Sequence, residues 1–460
     1  MKKVKLLLTM AVIVFATMIC CSMSAFALTD GDWEFQLLDN EVKITGYIGE
    51  GGDVVIPETL YGAPVTKVDI KAHSSNNFSK ATSLVFPSTV KDITGEWYFG
   101  DWGGNVLEKV VFPEGVETID EYSFNGCKIT SLVFPSTLKR IGRNAFSGCE
   151  LLTSVQFPEK MEKIGSWCFS ECGLTEVTLP VVEICGEWIF AQNPNLKKAL
   201  IADKNTIVPE CIFYECTGLE EVLIPFTVQR IEQSAFSGCT SLKQVILPTD
   251  LKFIGQTAFY HCDSLKEVVI PYGVEELGST IFAKCDNLKS LYVPDTVAKI
   301  DMGGSGLIYG SDNCIVYCTD NSVAADYCKK KEVSYLTDNS VNSGIHVLYN
   351  GTRISFHSYG QNPELLESRT LVPLRSIFEA MGAEVEWDGA TSTAIAKRDG
   401  IEIKIQIGAN EMYKDGKAIP VDVPAQLLND RTMVPVRVIA EAFGADVDWN
   451  GNGRTVLITE

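Results

Sequence analysis

Histidine is scarce in this chain: four residues in 460, at His73, His261, His346 and His357. None has a second histidine three or four positions away, so the paired imidazoles of a helical zinc or copper site are lacking. No G-x-S-x-G elbow, H-E-x-x-H helix or phosphate-cradling glycine loop occurs either. Their absence removes the usual frameworks for nucleophilic, metal-assisted and nucleotide chemistry. Paired carboxylates among the 59 acidic residues leave one hydrolytic alternative open. Positive charge is also short, since 39 Lys and Arg against 59 Asp and Glu give a net −20. Such a surface repels phosphate backbones and anionic lipid, so neither nucleic acid nor a membrane surface is an expected partner. The expectation is a protein that is not an enzyme, with no catalytic residues, no metal and no cofactor.

Long apolar runs are missing beyond the N-terminus. There, Lys2, Lys3 and Lys5 precede an apolar stretch from Leu6 to Cys20, and Ala25-Phe26-Ala27 follows. This is the pattern of a secretory signal cleaved after Ala27; an uncleaved anchor is the rival reading. Ile19 before Cys20 is not the small residue of a lipoprotein site. Loss of the three lysines takes the charge from −20 to −23. No sorting signal or lipid site stands at Thr459-Glu460, so the product is expected to be secreted or held noncovalently at the cell surface, with no membrane insertion after cleavage.

What the chain has in abundance is repetition. Short β-branched runs end in proline at Pro57, Pro87, Pro113, Pro135, Pro158, Pro180, Pro225, Pro248, Pro271 and Pro294, with a degenerate copy at Ala199–Ala202. From Pro113 onward the spacing is 22 or 23 residues. Each unit reads L-x-x-V-x-[ILFV]-P-x-x-[VL]-x-x-I-G-x-x-A-F-x-x-C. In the copy from Leu242 to Cys262, Leu242, Val245 and Leu247 have strand spacing, Pro248 ends the strand, and Ile254 and Phe259 fill the coil. Gly255 is expected to permit a tight bend. One such unit cannot bury its apolar face alone, whereas stacked neighbours form a continuous core. The fold class is therefore a leucine-rich-repeat solenoid, with a parallel strand per coil and short helical turns, followed by a small α+β domain with an internal duplication.

Thirteen cysteines follow the signal, and Cys127, Cys149, Cys172, Cys216, Cys239, Cys262 and Cys285 share one position of successive units, with Asn193 replacing one. Buried free thiols in an inward ladder are the favoured reading, because disulfides need a geometry that in-register neighbours do not supply; pairwise disulfides between coils are the alternative. Cys168 and Cys211 stand in for the Ala of the A-F pair and are expected in the core. Cys314, Cys318 and Cys328 lie outside the ladder, and Cys318 with Cys328 is the first choice if any disulfide forms.

The recurring I-G-x-x-A-F-x-x-C-x-x-L pattern resembles the BspA-like leucine-rich repeats of bacterial surface proteins, over roughly Gly31 to Leu336. Trp33–Pro64 resembles that family's opening cap, and a closing cap is expected at Cys314–Tyr317 with a helix around Ser322–Lys330. Two copies depart from the pattern, Ile93–Phe99 and Ile184–Phe190, and the first precedes a loop at Asp101–Asn105. There Trp102 either projects as a recognition element or folds onto Trp97.

A polar stretch, Thr337–Gly344, has linker character. Beyond it Arg369-Thr-Leu-Val-Pro-Leu-Arg375 through Trp387 recurs 62 residues later as Arg431-Thr-Met-Val-Pro-Val-Arg437 through Trp449. Pro373 and Pro435 suit helix starts, and Gly382 and Gly444 suit helix stops. Asn350-Gly351 and Asp415-Gly416 are hairpin signals. The R-T-x-V-P-x-R…E-A-x-G-A-x-V-x-W motif resembles the copper amine oxidase N-terminal-like domain over Ile345 to Glu460. In amine oxidases that region is a peripheral stalk and the copper belongs elsewhere, so the resemblance implies no oxidase activity. Arg369, Arg375, Arg431 and Arg437 either bind anions beside the helix starts or pair with local carboxylates such as Glu379 and Glu441. The expected division is signal 1–27, solenoid 28–336, linker 337–344 and C-terminal domain 345–460.

Between the inward strand residues runs a column expected to face the concave surface: Val85, Val111, Val133, Gln156, Thr178, Leu200, Leu223, Ile246, Val269 and Tyr292. Eight of these ten are apolar or aromatic, although a strand with one wet face normally alternates with polar residues. Lys109, Ser131, Glu176, Glu221 and Glu267 flank the column as a rim. Two readings stand: the column docks an extracellular protein or glycan, with Tyr292 as an anchor, or β-branched residues merely suit in-register ladders. Val111, Val133, Gln156, Thr178, Leu223, Ile246, Val269 and Tyr292 are the candidate ligand-binding residues. The resemblance favours a recognition or adhesion protein. A structural wall or stalk component, in contact with cell-wall material, is the alternative, and an extracellular hydrolase stands behind both.

Overall fold

The structure is a computed structural model that describes residues 28–70, 77–95, 106–337, 341, 345–350, 352–354, 356, 361–366, 368–429, 431–450 and 455–460. The expected signal, Trp97 and Trp102 with their loop, His73, His357 and most of the expected linker lie outside these residues. The chain divides into two compact units, one through Cys172 and one from Gly173 onward. The second unit thus contains both later coils and the C-terminal module.

In the first unit, strands Trp33–Leu38 and Glu41–Tyr47 form an antiparallel hairpin. Trp33 packs on Tyr47 at 5.0 Å, and Tyr47 packs on Phe78 at 5.5 Å. These rings supply the covered end that an open solenoid needs. Two parallel ladders then run from coil to coil. One takes the L-x-x-V segments, pairing Leu84 with Val110 and Leu132 with Val155. The other is a two-residue strand at the isoleucine before the repeated glycine, pairing Ile93 with Ile119 and Ile119 with Ile141. The corner between the ladders is made by the proline, which stops the strand. Its carbonyl accepts the N–H three residues on, as from Val90 to Pro87 and from Leu138 to Pro135, both at 3.1 Å.

The A-F segments expected as helical turns are hydrogen-bonded turns linked to the next coil. Asn144 and Trp167 hold positive φ, at 53° and 62°, and Asn144 N–H donates to Ser166 O at 3.0 Å in the following coil. The I-G glycine stands between the short strand and the turn that follows it, without a left-handed φ. At Gly142 a Cβ would lie 2.4 Å from Glu121 N, and at Gly165 2.5 Å from Arg143 N. The glycine is there so that successive backbones can touch.

The second unit repeats this plan. L-x-x-V strands pair in register from Glu176–Leu179 to Lys198–Ile201 to Glu221–Leu223, and from Glu267–Val269 through Ser290–Tyr292 to Ile315–Cys318. Fully buried Phe190, Phe213, Phe236, Phe259 and Phe282 stack face to face at 5.1–5.9 Å. Each contributes on the order of 1.5–3 kcal/mol of burial. Helix Val323–Lys331, N-capped by Ser322, stands where the sequence led one to expect a helix, and strand Tyr335–Thr337 then pairs parallel with Ile315–Cys318.

The C-terminal module is mostly sheet. Strands Arg369–Pro373 and Arg431–Pro435 pair antiparallel about Val372 and Val434, which gives the duplication its pseudo-twofold relation. Each leads into a seven-residue helix, Leu374–Ala380 or Val436–Ala442, with the proline at the N-cap. Gly382 and Gly444 follow at φ 76° and 91°, a conformation that stops a helix. Phe378 meets Phe443 edge-on at 5.6 Å. The Asp415-Gly416 hairpin joins Glu411–Lys414 to Lys417–Pro420.

Candidate functional site

All thirteen cysteines among the described residues are free thiols, Cys318 and Cys328 among them, and twelve of the thirteen are buried. The ladder cysteines donate their thiol hydrogens to the phenylalanine carbonyl of the preceding coil. Cys149 reaches Phe124 O at 3.2 Å, Cys216 reaches Phe190 O at 3.0 Å and Cys285 reaches Phe259 O at 3.1 Å. Asn193, standing in for a cysteine, spends its amide on Phe190 O and Ala191 O. Burial pushes the Cys149 and Cys216 thiols up to about 12, so they stay protonated and unreactive at neutral pH. These side chains hold the coils together and offer no nucleophile.

The column between the inward strand residues reaches solvent along part of its length. In the first unit Val85 is half-buried, Val111 is 41% exposed and Val133 is 65% exposed; Gln156 is exposed as well. Val111 and Val133 line an open groove of about 810 Å³ together with Leu151, Lys109 and Lys128. In the second unit Thr178 and Leu223 are exposed and Leu200 is half-buried. Ile246 and Val269 are half-buried and Tyr292 is buried, so Tyr292 does not stand open as an anchor. The cause is the C-terminal module. His346, Leu348 and Thr455 share a small cavity with Ile246 and Val269, and the Arg353 guanidinium lies 4.3 Å from the centre of the Tyr292 ring.

This contact carries two shifted groups. Burial raises Glu267 to about 7, against the opposing influence of Arg353. Burial, with the Arg353 charge second, lowers His346 to about 3. Arg353 and His346 belong to no repeated motif, and nothing in the local pattern marks them as partners of the ladder.

Three of the four duplicated arginines sit beside carboxylates. Arg369 and Asp422 are 2.6 Å apart, Arg375 and Glu379 3.9 Å, and Arg437 and Glu441 3.5 Å. These exposed pairs fit the local-carboxylate reading. Arg369, Asp422, Arg437, Glu441 and Trp449 border a groove of about 890 Å³. Among the described residues no helix is long and apolar enough to cross a membrane.

The BspA type leucine rich repeat region matches in six copies over residues 68–197 and 183–304. The copper amine oxidase N-terminal domain matches residues 349–458. A protease inhibitor from Brevibacillus choshinensis is 31% identical over 99 residues, which is 20% of this chain and 29% of that protein. Among solved structures, a leucine-rich repeat protein from Bacteroides ovatus has 20% identity over 68% of this chain and 100% of its own, with a TM-score of 0.40. The pneumococcal vaccine antigen PcpA has 17% identity over 68% of this chain and 98% of its own, with a TM-score of 0.41. A leucine rich cell surface protein from Faecalibacterium prausnitzii has 21% identity over 65% of this chain and 96% of its own, with a TM-score of 0.39. The described residues of the C-terminal module do not fit copper. Its described histidine, His346, is buried beside the ladder, and no group of three or more His, Cys, Asp or Glu among the described residues is placed to hold a metal ion.

Proposed function

Because the chain belongs to the BspA-type leucine-rich repeat family, we propose that it is exported and serves as a recognition or adhesion protein, presenting its L-x-x-V ladder to an extracellular protein or glycan without catalysing a reaction. The signal-like segment before Ala27 supports export. The carrying observation is the open apolar column at Val111 and Val133 in its groove of about 810 Å³. Soluble proteins seldom leave aliphatic residues lined up on a sheet face unless something docks there. Apolar side chains gathered beside polar and charged ones match the anatomy of a protein-binding patch. A V111D/V133D double variant tests the reading. Binding of the full chain to host matrix proteins, wall glycans and whole cells should fall at least tenfold, the equivalent of about 1.4 kcal/mol, with the thermal transition little changed. Undiminished binding to every surface the parent binds would remove the proposal.

A second reading, protease binding, draws on the relative's printed name, and the C-terminal module offers it the edge strands Glu364–Leu366 and Gln426–Leu428, which expose Leu365 and Leu427. Such edges can pair with an extended chain. Titration of secreted serine and cysteine proteases with the full chain decides it; activity that stays constant at excess protein disposes of it.

A further inference from the structure

From Gly173 onward the ladder face changes along its length. Leu223 is 40% exposed, whereas Tyr292, at the same position three coils on, is 5% exposed. Its ring stacks on Tyr317 of the next coil at 4.6 Å and is covered by the Arg353 guanidinium at 4.3 Å. Arg353 is itself only 5% exposed. Glu267, in the preceding coil, accepts a hydrogen bond from the Arg353 backbone N–H and feels its charge. A planar guanidinium stacks on an aromatic face, which a compact ammonium does less well.

We infer that Glu267, Tyr292 and Tyr317 form an arginine-receiving site on the ladder face, occupied in cis by Arg353, and that an arginine from a basic segment of an external protein takes the same place when the C-terminal module moves off. The inference rests on the reading of the ladder as a recognition surface, and it concerns a part of that surface distinct from Val111 and Val133.

Two observations mark the cis occupant as replaceable. The seam is imperfectly matched, because Gln244 Nε2, Glu267 Oε1 and His346 Nδ1 are buried with no hydrogen-bond partner among the described residues. All three residues border one cavity of about 20 Å³. Opening the seam therefore breaks no protein–protein hydrogen bond at these three atoms. The second observation is charge: a chain at −20 attracts a basic partner rather than an acidic one.

Backbone hydrogen exchange over residues 267–269 and 290–292 of the full-length protein tests the site, with arginine amide and lysine amide as probes. R353A should exchange about tenfold faster there than the parent, as local opening predicts. Arginine amide in excess should restore protection and lysine amide should not. R353K, which keeps the charge without the planar stack, should fall between parent and R353A, and it carries the same comparison if R353A does not fold. Parent-like exchange in both variants, or equal restoration by the two amides, overturns the inference. No cell or matrix component enters this assay, so its failure leaves the Val111–Val133 reading standing, and loss of adhesion in V111D/V133D leaves this site standing.

Discussion

The thiol of Cys262 donates its hydrogen to the backbone carbonyl of Phe236, one coil earlier, at 3.2 Å. The same bond joins Cys239 to Phe213 at 3.2 Å and Cys172 to Phe146 at 3.3 Å. A cysteine in this slot therefore acts as a small hydrophobe with one useful donor. Thiol reagents at pH 8 should leave Cys239 and Cys262 unlabelled in the native protein and label them in denaturant. Rapid native labelling of either would show that the ladder is open. C262A should cost about 1–2 kcal/mol through the lost bond and the small void, read from urea unfolding.

Gly255 lies against the preceding coil so closely that a Cβ would sit 2.6 Å from Gln233 N; at Gly278 the distance to Gln256 N is 2.5 Å. Backbone atoms cannot swing aside as a side chain can. G255A is expected to destabilise by roughly 1–3 kcal/mol, the cost of overpacking. A neutral G255A would mean that the coils are spaced more widely than described here.

Much of this was legible in the residues themselves. The 22–23-residue period, the proline stops and the A-F-x-x-C ending announce stacked coils, and the 62-residue offset announces the duplication. The period also places Phe236 and Phe259 on top of one another, 5.1 Å apart. What the pattern hides is local hydrogen bonding. Ser234 and Thr257 take positive φ, 54° each, because their N–H groups reach the next coil, and neither residue type advertises that. The close approach at the I-G glycine is hidden too, since spacing along one chain says nothing of how near the neighbouring coil comes. The column residues Val133 and Tyr292 occupy equivalent repeat positions, yet one is open and the other covered. The Tyr317 ring of the next coil and the Arg353 guanidinium cover Tyr292, and no periodicity encodes the long-range contact from Arg353.

The seam beneath the C-terminal module should respond to pH in two opposing ways. Its charged and titratable groups are Glu267, Tyr292 and Tyr317 on the ladder, with His346 and Arg353 on the module. His346 is lowered from 6.5 to about 3, so the closed arrangement prefers it neutral and loses stability as pH falls below 6.5. Glu267 is raised from 4.5 to about 7, so the closed arrangement prefers it protonated and loses stability as pH rises from 4.5 through 7. The slopes cancel between pH 4.5 and 6.5, and His346 acts alone below that range. Relative to the parent, H346L should gain about 1.4 kcal/mol per pH unit on the acid side of 6.5, and E267Q should gain as pH rises from 4.5 to 7. Denaturation midpoints at pH 4, 5.5 and 7.5 check both signs; pH-independent differences would place the two groups in solvent.

Hydroxyl-radical footprinting reads side-chain exposure residue by residue and reaches the division of the ladder face directly. In the free protein Val133, Leu151 and Leu223 should oxidise readily, while Tyr292, intrinsically the more reactive side chain, is protected beneath Arg353. When the protein is bound to a surface it adheres to, Val111 and Val133 should become protected. Strong oxidation of Tyr292 in the free state, together with unchanged oxidation of Val133 on binding, would contradict the account.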